Sequence, residues 1–163
     1  LVHSLEKRSV ELITITDTSE MTNEVEPFIK GLFPLHKKEK KTRPRIFNKP
    51  TVFLSARVHP GEAPASHTIN GIIDLLTDKD NIVAKECLKR FVFKIVPILN
   101  PDGVYRGYYR VDTKGQNLNR YYTDPKFETQ PTIYAVKKAI EQQHELGKLK
   151  VYIDFHAHAG KKG

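Results

Sequence analysis

Apolar residues recur along this chain with two different periods, and the switches between them set out its elements. Val10-Glu11-Leu12-Ile13-Thr14-Ile15-Thr16 is rich in β-branched residues and partly alternates, which predicts a strand over 10–16. Thr51-Val52-Phe53-Leu54-Ser55-Ala56 is a short, mostly apolar run, the pattern of a strand covered on both faces. From Pro64 to Thr77 the period lengthens. Ile69, Ile72, Ile73, Leu75 and Leu76 fall mostly on one helical face, with Pro64 tolerated in the first turn. A shorter amphipathic piece covers Ile82 to Arg90. Phe91 to Val96 is the next strand, closed by Pro97 and a turn at Asn100-Pro101-Asp102-Gly103. Residues 104–129, rich in Tyr, Arg and Asn, predict a long loop too polar for the core. Thr132 to Leu146 reads as a helix through Ile133, Val136 and Ile140. Leu149 to Phe155 is a strand that runs into His156-Ala157-His158. Strands alternating with helices predict an α/β fold, with a mixed, mostly parallel sheet flanked by helices.

One stretch obeys neither period. From Lys30 to Lys49 eight Lys and Arg face only Glu39, while Pro34 and Pro44 interrupt any helix and Pro50 follows. This predicts an exposed basic loop or insertion. Residues 1–50 are then an N-terminal strand plus that loop, and 51–163 form the layered unit. With 163 residues, one domain is expected.

The net charge of +8 favours acidic partners through long-range steering. Nucleic acid is not expected, because no recognition helix, finger or aromatic platform is discernible. The single cysteine, Cys87, excludes a disulfide framework. It reads as a small apolar residue on its helix, since no motif sets a base beside it. No apolar run approaches the roughly 20 residues that span a bilayer, and no signal-peptide pattern opens the chain. The expectation is a cytoplasmic protein, with the nucleus left open and no membrane partner.

Candidate chemistry falls beyond strand ends, where ligands gather in open α/β sheets. His59-Pro60-Gly61-Glu62 follows the strand at 51–56, and its imidazole and carboxylate, three residues apart on a sharp turn, can converge on one cation. Asp154-Phe155-His156-Ala157-His158 ends the last strand, and residues 154, 156 and 158 share a face if the strand continues that far. Joined to His59 and Glu62, this segment completes a two-histidine, one-carboxylate zinc set with an open position. Asn117-Leu118-Asn119-Arg120 lies in the polar loop, downstream of Arg106 and Arg110. An arginine fork grips a carboxylate through two parallel hydrogen bonds, and an adjacent amide adds a third. A Lewis-acid metal beside such a clamp suits hydrolysis of a peptide bond next to a free C-terminus.

Taken in order, His59-Pro60-Gly61-Glu62, Asn100-Pro101-Asp102-Gly103, Asn117-Leu118-Asn119-Arg120 and Asp154-Phe155-His156 resemble the zinc metallocarboxypeptidases. Val58-His59-Pro60-Gly61-Glu62 and Asp154-Phe155-His156-Ala157-His158 resemble the cytosolic carboxypeptidase branch, which removes glutamates from polyglutamylated proteins such as tubulin. The run from Leu99 to Gly107, with Asn117 to Arg120, is similar to the type that removes the branch-point glutamate. The resemblance implies one Zn2+ ion held by His59, Glu62 and His156, with His158 the runner-up ligand. It implies Asn119 and Arg120 as the clamp on the substrate carboxylate and Arg110 as the arginine that stabilises the oxyanion. It also implies polyglutamylated tails such as tubulin's as partners.

Two departures from the family pattern stand out. Asn117 occupies a position where the family often carries Asp to orient a zinc histidine, and an amide cannot raise ligand basicity as a carboxylate does. The family's general-base glutamate and capping tyrosine lie well downstream of Asp-x-His, whereas this chain stops at Gly163. A missing base costs on the order of a hundred- to ten-thousand-fold in rate. The expectation is therefore a C-terminally truncated fragment, inactive alone. The rival reading is a non-catalytic basic module that docks acidic protein tails through Lys37-Lys38-Glu39-Lys40-Lys41.

Overall fold

The central strand is β6, Thr51–Ala56, and its covering on both faces explains the apolar run in its sequence. In the computed structural model, which describes residues 1–33 and 43–158, β6 lies between β7 (Val92–Val96) and β8 (Leu149–Phe155) and pairs in parallel with both. The antiparallel β3 (Ile13–Ile15) completes a four-stranded sheet of order β3-β7-β6-β8. The mixed, mostly parallel sheet expected from the sequence is thus present.

Successive side chains of β6 point to opposite faces and enter separate cores. Phe53 packs with Val96, Leu99, Ile133 and Val136 on the side of α4 (Pro131–Glu145). Leu54 and Ala56 pack with Ala65, Ile69 and Leu76 of α1 (Ala63–Thr77). The Cys87 and Leu88 side chains of α2 (Ile82–Arg90) lie against this second cluster, in keeping with Cys87 as a packing residue.

Several expectations need correcting. The strand set at 10–16 is two pieces in different sheets: β2 (Ser9–Val10) pairs with β1 (Val2–His3), and β3 joins the main sheet. The described part of residues 1–50 therefore holds five short strands rather than one. Two of them, β4 (Met21–Val25) and β5 (Arg45–Phe47), form a ribbon of their own. Leu1, Val2 and Val10 belong to the same core as Ile133, so this segment is packed onto the layered unit. Arg45–Phe47 and the buried Lys49 contradict an exposed loop over that part. Lys49 Nζ is anchored by Asp17 Oδ1 at 2.7 Å and the Leu88 carbonyl at 2.9 Å, which is why a lysine tolerates burial there. The run Lys37 to Lys41 lies outside the described residues.

Asn100 to Gly103 is not a free turn but the start of a helix, α3 (Pro101–Tyr105). Asn100 Oδ1 caps it by accepting from the Gly103 N–H at 2.9 Å. Leu118, in the stretch read as too polar for the core, is buried in the cluster around Phe53.

Candidate metal centre

His59 reaches its place through a strained exit from β6. Arg57, directly after the strand, holds φ of 58°, a left-handed conformation that a non-glycine residue adopts at a cost of order 1–3 kcal/mol. Its guanidinium folds back to donate from Nε to the Pro60 carbonyl at 3.0 Å and from Nη1 to Ser66 Oγ at 2.7 Å. The clamp ties the His59–Glu62 turn to the first turn of α1. Gly61 makes the turn possible at another contact. Its N–H donates to the Tyr109 carbonyl at 2.8 Å, and a Cβ there would lie 2.7 Å from that oxygen.

Across the sheet, Ser55 is in register with Asp154, so the two strand ends deliver His59, Glu62 and His156 to one place. One ligand atom from each of the three lies within 4.8 Å of the others. The two rings stand 5.0 Å apart, centroid to centroid. Glu62 lies between them: His59 Nδ1 is 2.8 Å from Oε1 and His156 Nδ1 is 3.1 Å from Oε2. His59 is buried, whereas a third of the His156 side chain is exposed, so the group opens to solvent on one side.

The outward ring nitrogens fix the tautomers. His59 Nε2 is 2.9 Å from Asn117 Oδ1, and the Asn119 backbone N–H donates to that same oxygen at 3.2 Å. The amide oxygen, not the NH2, thus faces the ring, and His59 must donate from Nε2. His156 Nε2 is 3.1 Å from Asp154 Oδ2, an acceptor, so it donates outward as well. In neutral rings this leaves both Nδ1 lone pairs aimed at a carboxylate. Such a contact is repulsive unless a cation or added protons sit between. The donor set, two imidazole nitrogens and one carboxylate, suits zinc with a fourth position left open. Small side-chain rotations bring these atoms to the roughly 3.4 Å separation of tetrahedral ligands about 2.1 Å from an ion.

Burial alone would raise the Glu62 carboxyl. The Ala157 N–H, 2.8 Å from Oε2, and the two imidazoles outweigh it and hold the group below the usual glutamate range. Behind His156, Asp154 accepts from Ser55 Oγ at 2.7 Å and from Tyr122 Oη at 3.0 Å. Burial first, then Tyr152 and Asp154, push the Tyr122 phenol far above its ordinary value, so it stays a donor. Burial likewise pushes Tyr152 up to about 12.

The other expected residues are arranged less tightly. Asn119 and Arg120 occupy a 3₁₀ turn, Leu118–Arg120, capped by the Asn117 side chain that touches His59. The exposed guanidinium of Arg120 has no acidic partner among the described residues, and its turn is joined to the centre through Asn117. Arg110 follows Tyr109, whose carbonyl is bonded to Gly61. Its side chain is exposed and makes no hydrogen bond or ion pair among the described residues. Strand β8 ends at Phe155, so the alternation that would align 154, 156 and 158 stops short. His158 is exposed and outside the three-residue group. Sequence reasoning gave no role to Ser55 or Tyr122. A serine inside an otherwise apolar strand was the available signal.

The mixed sheet brings two strand ends together at two imidazoles and a carboxylate, a donor set suited to zinc. The chain belongs to the zinc carboxypeptidase family, peptidase M14, whose family model matches residues 1–160. It is 40% identical over 147 residues to cytosolic carboxypeptidase-like protein 5 of Danio rerio, covering 88% of this chain and 16% of that protein. Over 163 residues it is 39% identical to cytosolic carboxypeptidase 6 of Caenorhabditis elegans, covering 99% of this chain and 30% of the relative. Among solved structures, a metallo-carboxypeptidase from Burkholderia cenocepacia superposes with a TM-score of 0.71 at 28% identity, covering 96% of this chain and 35% of that one. The chain therefore spans a third or less of the length of the curated relatives it matches. No helix among the described residues is long and apolar enough to cross a membrane.

Proposed function

We propose that this chain carries the metal- and carboxylate-binding part of a cytoplasmic zinc carboxypeptidase that removes C-terminal or branch-point glutamates from acidic protein tails such as tubulin's. One observation carries the reading: His59, Glu62 and His156 converge within 4.8 Å, with both outward ring nitrogens committed to acceptors. In it, the two Nδ1 atoms and the Glu62 carboxylate hold one zinc ion. When bound, zinc supplies a Lewis acid that polarises the scissile carbonyl and acidifies water.

This chain's own residues do the rest of the binding. Arg120, with the Asn119 amide, receives the terminal carboxylate of the substrate through parallel charge-assisted hydrogen bonds. Arg110, tethered through Tyr109 to the metal turn, places positive charge where the oxyanion develops, a role worth several kcal/mol when the charge is pre-placed. The net charge of +8 supports an acidic substrate, and the names of the relatives support a cytosolic carboxypeptidase. Among the described residues, no carboxylate beyond Glu62 and Asp154 hydrogen-bonds either imidazole, and the reading assigns the general-base role to neither. In this reading the 163 residues bind metal and substrate without turning over.

The chain should bind one zinc ion and then a glutamate-terminated peptide, more tightly than its C-terminally amidated counterpart. Undiminished zinc binding by His59→Ala overturns the ligand assignment. Release of glutamate by the zinc-loaded chain, stopped by a chelator, would overturn the inactivity of these residues alone. Peptide binding that survives zinc removal would favour a basic module acting through Lys37 to Lys41, residues outside those described.

A further inference from the structure

The two histidines are backed by unlike partners. His59 donates to an amide, Asn117 Oδ1, whereas His156 donates to a carboxylate, Asp154 Oδ2, at 3.1 Å. That carboxylate is itself held on both oxygens. Ser55 Oγ donates to Oδ1 at 2.7 Å from the neighbouring strand, and Tyr122 Oη donates to Oδ2 at 3.0 Å. Ser55 is wholly buried, and Tyr152 Oη, 2.8 Å from Ser55 Oγ and 3.3 Å from Tyr122 Oη, closes the ring of hydroxyls. Two hydroxyls on one carboxylate, with a third linking them, are more than packing requires.

We infer that Asp154 is the positioning carboxylate of this metal centre and that Tyr122 acts through it, aiming His156 Nδ1 at the ion. The inference rests on the proposed metal reading and deepens it. The exposed ring of His156 has no other side chain to hold its outward nitrogen among the described residues. Glu62 meets only its inner nitrogen, so Asp154 is what fixes the outer one. Asp154 takes its place by strand register opposite Ser55, so its direction is set by the sheet rather than by a loop. Tyr122 approaches from the polar loop, its ring packed against the core around Phe53. Replacing it with Phe removes the hydroxyl while keeping the ring. Where Asn117 cannot strengthen its histidine as a carboxylate would, Asp154 supplies that help on the other ligand.

The test is zinc affinity of the 163-residue chain, measured by competition with a chromophoric chelator, alongside the visible spectrum of the cobalt-substituted chain and the melting temperature without metal. Asp154→Asn should weaken zinc about 10- to 100-fold, the usual effect of losing an outer partner. Tyr122→Phe should weaken it in the same direction by less, and both should alter the cobalt spectrum. If both variants bind zinc as the parent does, or merely melt lower without metal, the inference is overturned while the metal reading stands. If His59→Ala also binds zinc unchanged, the metal reading itself fails.

Discussion

Gly103 offers a direct test of how the site is held, because two physical effects there have opposite signs. It lies in α3, where alanine is favoured over glycine by roughly 0.5–1 kcal/mol on conformational grounds. A Cβ at this position, however, would lie inside 3.0 Å of Pro60 Cγ and 2.9 Å from both polar atoms of the Asn100 side chain. Carbon atoms settle about 3.5–4.0 Å apart, so relief needs a displacement of at least about half an ångström. Pro60 sits between His59 and Glu62, and Asn100 Nδ2 holds the Val58 and Val111 carbonyls, so the displacement falls on the metal turn. Overpacking of this kind costs about 1–3 kcal/mol, which exceeds the helical gain. Gly103→Ala should therefore lower stability in guanidinium unfolding and weaken zinc by about tenfold or more, as for other faults in ligand support. Gly71→Ala is the control: it lies within α1, and nothing approaches its added Cβ within 4 Å. It should stabilise by roughly 0.5–1 kcal/mol and leave zinc affinity alone. A Gly103→Ala chain as stable as the parent, with unchanged affinity, would refute the reasoning.

Other expectations follow from single contacts. Lys94 Nζ pairs with Glu26 Oε1 at 2.7 Å, both buried, so Lys94→Met should cost about 3–5 kcal/mol in chemical denaturation. Adding Glu26→Gln should recover part of that loss. Because the folded Glu62 carboxyl is held below its ordinary value, its contribution is present at neutral pH and is lost as pH falls through the folded value. In the metal-free chain, Glu62→Gln should therefore flatten the decline in stability below about pH 4.3, the ordinary glutamate value. Arg120→Ala should weaken binding of a peptide with a free terminal carboxylate and leave its amidated form little changed, as read by calorimetry on the zinc-loaded chain. Equal losses on both peptides would remove Arg120 from the clamp.

The sequence carried the layered part of the fold because α1 and α4 each show one helical period while β6 and β7 are short apolar runs, and each is buried accordingly. It was less informative for residues 1–50, where β1, β2, β4 and β5 are two to five residues long, too short for periodicity to declare them. Polar composition also misled at Lys49 and Leu118. A lysine surrounded by carbonyl and carboxylate acceptors can be buried, and one leucine suffices to pin a polar loop. At the site, His59, Glu62 and His156 were legible because imidazoles and a carboxylate cluster at strand ends for few structural reasons. Tyr122 was not, since a tyrosine 32 positions from its partner leaves no local signature. Asn100-Pro101-Asp102-Gly103 shows the converse. Its residues look chemical yet are structural, with Asp102 accepting from Ser4 Oγ, the Glu6 N–H and Arg8 to anchor the N-terminal segment.

The short 3₁₀ turn after Asn117 ties two equilibria together. One side chain, Asn117, meets His59 and also accepts from the backbone N–H of Asn119, so whatever draws the ring inward pulls on the neighbouring amide and guanidinium. Linkage makes such coupling reciprocal: by whatever factor an occupied metal position improves the grip on an anion, a gripped anion must improve retention of the metal. A zinc carboxypeptidase in which that factor exceeds one would hold its ion most firmly while engaged and release it most readily when idle.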